Sequence, residues 1–289
     1  MLDRFQSYLQ SVNMSKNTIK AYVRDCRQFQ EFITSRDMEF QDVGQSHLLE
    51  FLERLTAKGL KSSTRRRKME ALRTFYRTMQ KLGELEQDPF QGFQDMPRIE
   101  DSNMRVLTEM EYRSLRDVVR GSSRKSSVRD YAILELALQT GLRISEICSL
   151  CASDTHFSTK TTVGYVTVRR GKGGKERLVT LNQVAEKAIK EYLAIRPSTE
   201  CTELFISNRL TPCEPLTIAA VFRRYMVKAG VENASFHSLR HTFATHTLKK
   251  GTNIIVVQEA LGHTSLTTTQ KYLHFVREMM DNQLTRNPL

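Results

Sequence analysis

Tryptophan is absent from this 289-residue chain, and glycine (13) and proline (6) are scarce. Together these two residues make up about 7% of the chain, below the roughly 12% of average usage, which favours helices and excludes collagen-like or Pro/Gly-rich architectures. No apolar run approaches the roughly 18 residues needed to span a bilayer. The opening residues, MLDRFQSYLQ, lack the apolar core of a secretory signal, so a cytoplasmic location is expected. The five cysteines (Cys26, Cys148, Cys151, Cys201 and Cys213) form an odd, scattered set. Cys148 and Cys151 make a lone C-x-x-C with no second pair at zinc-site spacing, so reduced thiols filling a core are expected. Acidic residues are outnumbered, 32 against 44 Lys and Arg, for a net charge of +12. That balance points to a polyanionic partner, nucleic acid ahead of an anionic membrane surface. With 39% hydrophobic and 26% charged residues the composition is globular, and the length suits two domains.

Hydrophobic spacing predicts a helix from Thr18 to Ile33, with Ser15 placed to cap it, and a second from Ser46 to Ala57 closed by Gly59. A third runs from about Ser63 to Leu82, with Met69, Leu72, Phe75, Tyr76 and Met79 as its apolar stripe. Between Lys58 and Lys81 stand nine Lys or Arg and one acid, Glu70, while residues 1–100 as a whole carry a net of only +3. Such concentration on one helix and its approach is better explained by a phosphate backbone than by a merely solvated face. Residues 89–106 read as a linker between a helical domain, 1–88, and a second domain, 107–289. Helical pattern resumes at Thr108, whose spacing to Glu111 is that of a capping box. The strongly apolar stretch Arg129–Thr140 precedes Gly141. The β signal is a hairpin, Val163–Arg170 and Arg177–Leu181 around a GKGG turn. Beyond Ala185 the pattern is helical, with Pro197, Pro212 and Pro215 marking loops. The fold class is therefore mainly α with a small β-hairpin in the C-terminal half.

Reactive side chains gather in four places: Arg143 in GLRISEI, Lys172 and Lys175 in GKGGK, His237 and Arg240 in HSLRH, and His263 in LGH with Tyr272 nine residues on. Each alone is more often structural than catalytic. GKGGKE does not have the order of a Walker A loop, and no zinc-ligand pattern is present. His241 and His246 read as packing or surface residues, and Glu146 and Asp130 as carboxylates that pair with basic groups and orient the arginine.

In order and spacing the whole set resembles the tyrosine recombinase, or lambda-integrase-like, family, and within it the compact Xer-type members. The resemblance implies an N-terminal SAM-like helical clamp domain and a catalytic domain that together close as a C around double-stranded DNA. It implies Arg143, Lys172, His237, Arg240 and His263 as the active site and Tyr272 as a nucleophile that forms a 3′-phosphotyrosine link. Permanently charged, forked arginines suit the non-bridging phosphate oxygens. Lys172, rather than Lys175, is expected to protonate the leaving 5′ oxygen, with Lys175 on a phosphate, and which histidine acts as base stays open. Neither metal, ATP nor any other cofactor is implied. Lys61, Arg65, Arg66, Arg67, Lys68 and Arg73 are the expected DNA contacts of the N-terminal domain. The tail, about 273–289, is expected to dock on a neighbouring subunit and so couple four protomers on two sites, with an accessory or second recombinase protein as a further possible partner. Resolution of DNA dimers or transposon cointegrates is the expected role. The alternatives are a mobile-element integrase, a type IB topoisomerase-like relaxing enzyme and a non-catalytic DNA-binding regulator. The chain begins at the clamp domain, which disfavours integrases that carry an arm-binding segment.

Overall fold

The computed structural model describes residues 1–98, 104–169, 176–263, 265, 266, 268–273 and 276. The chain divides into two compact units, Met1–Asn103 and Met104–Leu289.

The first unit packs α1 (Leu2–Ser11), α2 (Lys16–Thr34), α3 (Gln45–Ala57) and α4 (Ser62–Lys81) around an aromatic core. Ser15 caps α2, its hydroxyl accepting from the Thr18 N–H at 3.1 Å. Phe29 meets Phe51 edge-on at 4.9 Å, and Phe40 lies 4.5 Å from Phe75. Helix α1 buries Phe5 and Leu9 in this core and packs Leu2 and Tyr8 against it. The segment expected to be a linker is packed at both ends. Phe90 and Phe93 are buried in the first core, Leu107 is buried in the second, and Arg105 is bonded to Glu111 and to the Glu232 carbonyl. Two aromatic rings spaced three residues apart carry more apolar area than the polar residues around them can keep in water.

The second unit contains α5 (Glu109–Arg120), α6 (Ser127–Thr140), α7 (Ile144–Ser149), α8 (Gln183–Ile195), α9 (Pro215–Lys228), α10 (Phe236–Lys249) and α11 (Ile254–Leu261). A small antiparallel sheet joins β1 (Thr155–His156), β2 (Tyr165–Val168) and β3 (Arg177–Thr180) in that order, with Val166 opposite Val179. The strands are shorter than alternation predicts, and the GKGGK turn with Lys172 and Lys175 lies outside the described residues. The reciprocal Thr108–Glu111 capping box is formed. Pro215 opens α9 at its first turn instead of marking a loop, where its missing N–H costs nothing. Of the tail, Leu273 and Val276 pack on a cluster with Ala244, Leu248, Val257, Leu261 and Tyr272, and residues 277–289 lie outside the described residues.

Helix α6 is buried on every face, and its charged residues are paired internally. Arg129 donates to Asp130 at 2.7 Å, and Asp130 also accepts from Ser126 and Tyr225, each at 3.0 Å. Asp130 thus holds Arg129 and not Arg143, because a carboxylate without exposure must take the donors its own layer offers.

Gly141 ends α6 with φ +65°, and a Cβ there would lie 2.4 Å from the Phe243 ring and 2.8 Å from Leu261. Gly141→Ala combines a left-handed strain of about 1–2 kcal/mol with overpacking of about 1–3 kcal/mol. Urea unfolding of this variant is expected to show a lower midpoint with an unchanged slope.

Candidate active site

Arg240 organises the site. It lies on α10, is 2% exposed, and its two terminal nitrogens each donate at 2.7 Å, one to the Gly141 carbonyl and the other to the Leu261 carbonyl. These carbonyls sit at the C-terminal ends of α6 and α11, where unsatisfied C=O groups carry partial negative charge. One guanidinium therefore ties three separate segments together. Burial, with the Arg143 charge, pushes Arg240 down to about 10, so it stays protonated at neutral pH. Its Nε–H is buried without a hydrogen-bond acceptor among the described residues.

Arg143 caps α7 in extended conformation, just past the Gly141 turn. Its guanidinium donates to Glu146 at 3.0 Å and to the Leu261 carbonyl at 3.3 Å, so both arginines share one helix end. Glu146 also receives the Arg143 backbone N–H at 2.8 Å and is gripped from the other side by Arg177 of β3 at 2.9 and 3.1 Å. Burial alone would raise the Glu146 carboxyl, but the Arg177 bonds, the Arg143 N–H and both charges outweigh it and hold it below the usual carboxylate range. Arg177 further donates to the Ala260 carbonyl at 3.1 Å. It also packs against Gly262, where a Cβ would come within 2.8 Å of the guanidinium. Gly262, at φ +62°, turns the chain out of α11 and presents His263.

Tyr272 is 3% exposed and meets the histidines here. Its ring stacks parallel to His263 with centroids 6.2 Å apart, and its hydroxyl lies 3.0 Å from His241 Nδ1. Burial raises the Tyr272 phenol, against the pull of the Arg240 and Arg143 charges. His263 bonds Thr269 through Nδ1 at 2.8 Å. Burial lowers both His263 and His241 to about 4, aided at His263 by the Arg240 and Arg143 charges and at His241 by His237 and Arg240, so both are neutral at pH 7. His237 is exposed and meets His241 edge-on at 4.5 Å. Partial enclosure of its ring, then the Arg240 and Arg143 charges, lowers it too.

Arg143, His237, Arg240, His263 and Tyr272 are thus gathered in one place, while Lys172 lies outside the described residues. Two residues here escaped the sequence reading. His241, expected to be packing, touches the Tyr272 hydroxyl. Its signal was present, since His237 and His241 stand four apart on one helix face. Arg177 gave no such signal, because its partner Glu146 is 31 residues away in sequence.

The basic residues of α4 divide. Lys68 is 8% exposed, and its ammonium donates to buried Asp25 at 2.9 Å and to Gln28 at 2.5 Å, so it serves the fold and not a phosphate. Arg67 is bonded to the same carboxylate. An unpaired buried Asp25 would be costly, so α4 supplies its cations inward. Arg66 donates to the Pro97 carbonyl at 3.2 Å and faces Glu70, which Arg73 approaches at 3.9 Å, and Arg65 is bonded to Thr56. Lys58, Lys61, Arg77 and Lys81 are exposed. Lys175 lies outside the described residues. Among the described residues, no group of three or more His, Cys, Asp or Glu is placed to hold a metal ion, and no helix is long and apolar enough to cross a membrane.

Residues 105–278 match the phage integrase family, and residues 2–81 match the N-terminal SAM-like domain of phage integrases. The chain belongs to the phage integrase family of tyrosine recombinases. The recombinase is 34% identical to a tyrosine recombinase of Pseudothermotoga lettingae over 96% of its own length and 94% of the relative's. It is also 34% identical to tyrosine recombinase XerA of Pyrococcus furiosus, over 99% and 93% of the two chains. Its fold is similar to XerH recombinase bound to a palindromic difH substrate, with a TM-score of 0.76, 24% identity, and coverage of 97% of this chain and 84% of the other.

The Glu146 bridge has a pH signature in the recombinase. A carboxyl depressed in the folded state binds fewer protons there than when unfolded, so its stabilisation is full above the ordinary value near 4.5 and fades as pH falls through the folded value. The stability difference between the recombinase and Glu146→Gln is therefore expected to be largest at neutral pH and to shrink below about pH 4.5, as read by urea unfolding across pH.

Proposed function

We propose that this recombinase cuts and rejoins strands of double-stranded DNA at a specific site through a phosphotyrosine link formed by Tyr272. The observation that carries the reading is a buried phenol lying in the field of two anchored guanidiniums, one of which keeps a buried Nε–H without an acceptor among the described residues. Such preorganised cations stabilise the charge that builds on the non-bridging oxygens as phosphorus becomes five-coordinate. Arg143 and Arg240 take that part, fixed in advance by helix-end carbonyls and Glu146. His237 and His263 lie beside them as hydrogen-bonding and proton-handling groups. Attack by Tyr272 leaves a 3′-phosphotyrosine and a free 5′ oxygen, and the ester keeps the bond energy that rejoining uses.

Lys172 is assigned as the acid that protonates the 5′ oxygen, and Lys175 as a phosphate contact. The solved XerH complex carries its difH site, and a lambda integrase tetramer is bound to a Holliday junction. By likeness to the junction-bound tetramer this chain pairs two sites as a tetramer, and its assigned role is to resolve DNA dimers or transposon cointegrates. Affinity for the duplex comes from the exposed Lys58, Lys61, Arg77 and Lys81 and the outward edges of Arg65, Arg66 and Arg73.

On a nicked cognate site, denaturing gels are expected to show protein joined to the cut strand, and Tyr272→Phe is expected to abolish that adduct. An adduct surviving in Tyr272→Phe would overturn the reading. In a two-site assay, relaxation of supercoils without recombinant product would favour a topoisomerase instead.

Lys172→Ala is expected to slow cleavage by about 10²–10⁴-fold, and a substrate with a 5′-bridging sulfur, whose leaving group needs no acid, is expected to restore the rate. Lys175→Ala is expected to weaken binding with little change in the cleavage step. Failure of the sulfur substrate to rescue Lys172→Ala would remove its assignment as the acid.

A further inference from the structure

We infer that His241 is a further catalytic residue, taking the proton of the Tyr272 hydroxyl as it attacks phosphorus and returning it on rejoining. The inference rests on the proposed role of Tyr272 as nucleophile, and it answers which group activates that oxygen. Two imidazoles, His241 and His263, meet the phenol and a third, His237, packs on His241, and their nitrogens are committed differently. His263 stacks its ring on Tyr272 and gives Nδ1 to Thr269. His237 faces His241 edge-on and is exposed to solvent. The nitrogen placed on the phenol oxygen is His241 Nδ1, at 3.0 Å, within the reach a general base requires.

The surroundings keep that nitrogen available as an acceptor. From its own helix His241 faces His237 and the Arg240 guanidinium, and from the C-terminal segment it faces Tyr272. Half-burial among these groups keeps the imidazole neutral, and in the tautomer that carries its proton on Nε2 the Nδ1 accepts from the phenol. Tyr272 in turn needs such a partner, because its buried phenol does not ionise at neutral pH unaided. In the forward step the Oη–P bond forms, the P–O5′ bond breaks, the phenolic proton passes to His241 Nδ1, and the 5′ oxygen leaves with the proton of the acid. Rejoining reverses each transfer. The imidazolium produced stands beside Arg240, which favours return of the proton and readies the site for the second strand.

The rate of covalent adduct formation on a suicide substrate tests this, with full-length wild type, Tyr272→Phe, His241→Ala and His241→Asn. Asparagine keeps a hydrogen-bond acceptor near the Nδ1 position but has no basic nitrogen. Both His241 variants are expected to bind the site with wild-type affinity and to lose about 10²–10⁴-fold in adduct rate. Imidazole added to the buffer is expected to restore part of the rate to His241→Ala. Wild-type rate in His241→Ala, full activity in His241→Asn, or no response to imidazole would overturn the inference and leave the role of Tyr272 standing. An adduct in Tyr272→Phe would overturn both.

Discussion

The C-terminal half of this recombinase is assembled around a buried guanidinium. Arg240 has almost no exposure and keeps its charge at neutral pH, so it has to be solvated by the protein itself. The carbonyls of Gly141 and Leu261 do this, and each belongs to a helix end that lacks an internal donor. One interaction thereby fills two needs, and it brings the end of α6, the start of α10 and the end of α11 to a common point. The left-handed turns at Gly141 and Gly262 are the backbone counterpart. They let those carbonyls converge while Phe243 and Arg177 close over the bare α-carbons.

Around this centre charge is arranged in alternation. Arg177, Glu146 and Arg143 form a chain in which the carboxylate neutralises two cations that would otherwise repel each other and Arg240. The net effect is a positive cluster whose charges are fixed in advance by the fold, the arrangement that electrostatic preorganisation requires. The neutral histidines follow from the same field, since cations on several sides and partial burial make a further positive charge unfavourable. The site thus combines permanent cations with uncharged imidazoles.

The N-terminal domain solves a related problem in the opposite way. There a carboxylate, Asp25, is the buried charge, and α4 turns Lys68 and Arg67 toward it. The run of like charge on α4 and its approach is therefore partly self-compensated, and the cations of that run left exposed are Lys58, Lys61, Arg77 and Lys81. A local count of charge overstates the electrostatic footprint whenever an acid from another helix faces inward.

The sequence by itself determined the helical character of both domains, the Ser15 and Thr108 caps, the hairpin, and the set of reactive residues in their order. Each of these depends on neighbours three or four positions away, or on a resemblance carried by short motifs. Only the tertiary structure decided that residues 89–98 pack on the first domain, that Asp130 serves Arg129, that Lys68 points inward, and that Arg177 and His241 join the site. Those facts depend on contacts across tens of residues, and a side chain's partner in the fold leaves no trace in local spacing. His241 shows the boundary between the two kinds of knowledge. Its helical register with His237 was visible, but its closeness to Tyr272 required the chain to return 31 residues later and place a hydroxyl against it.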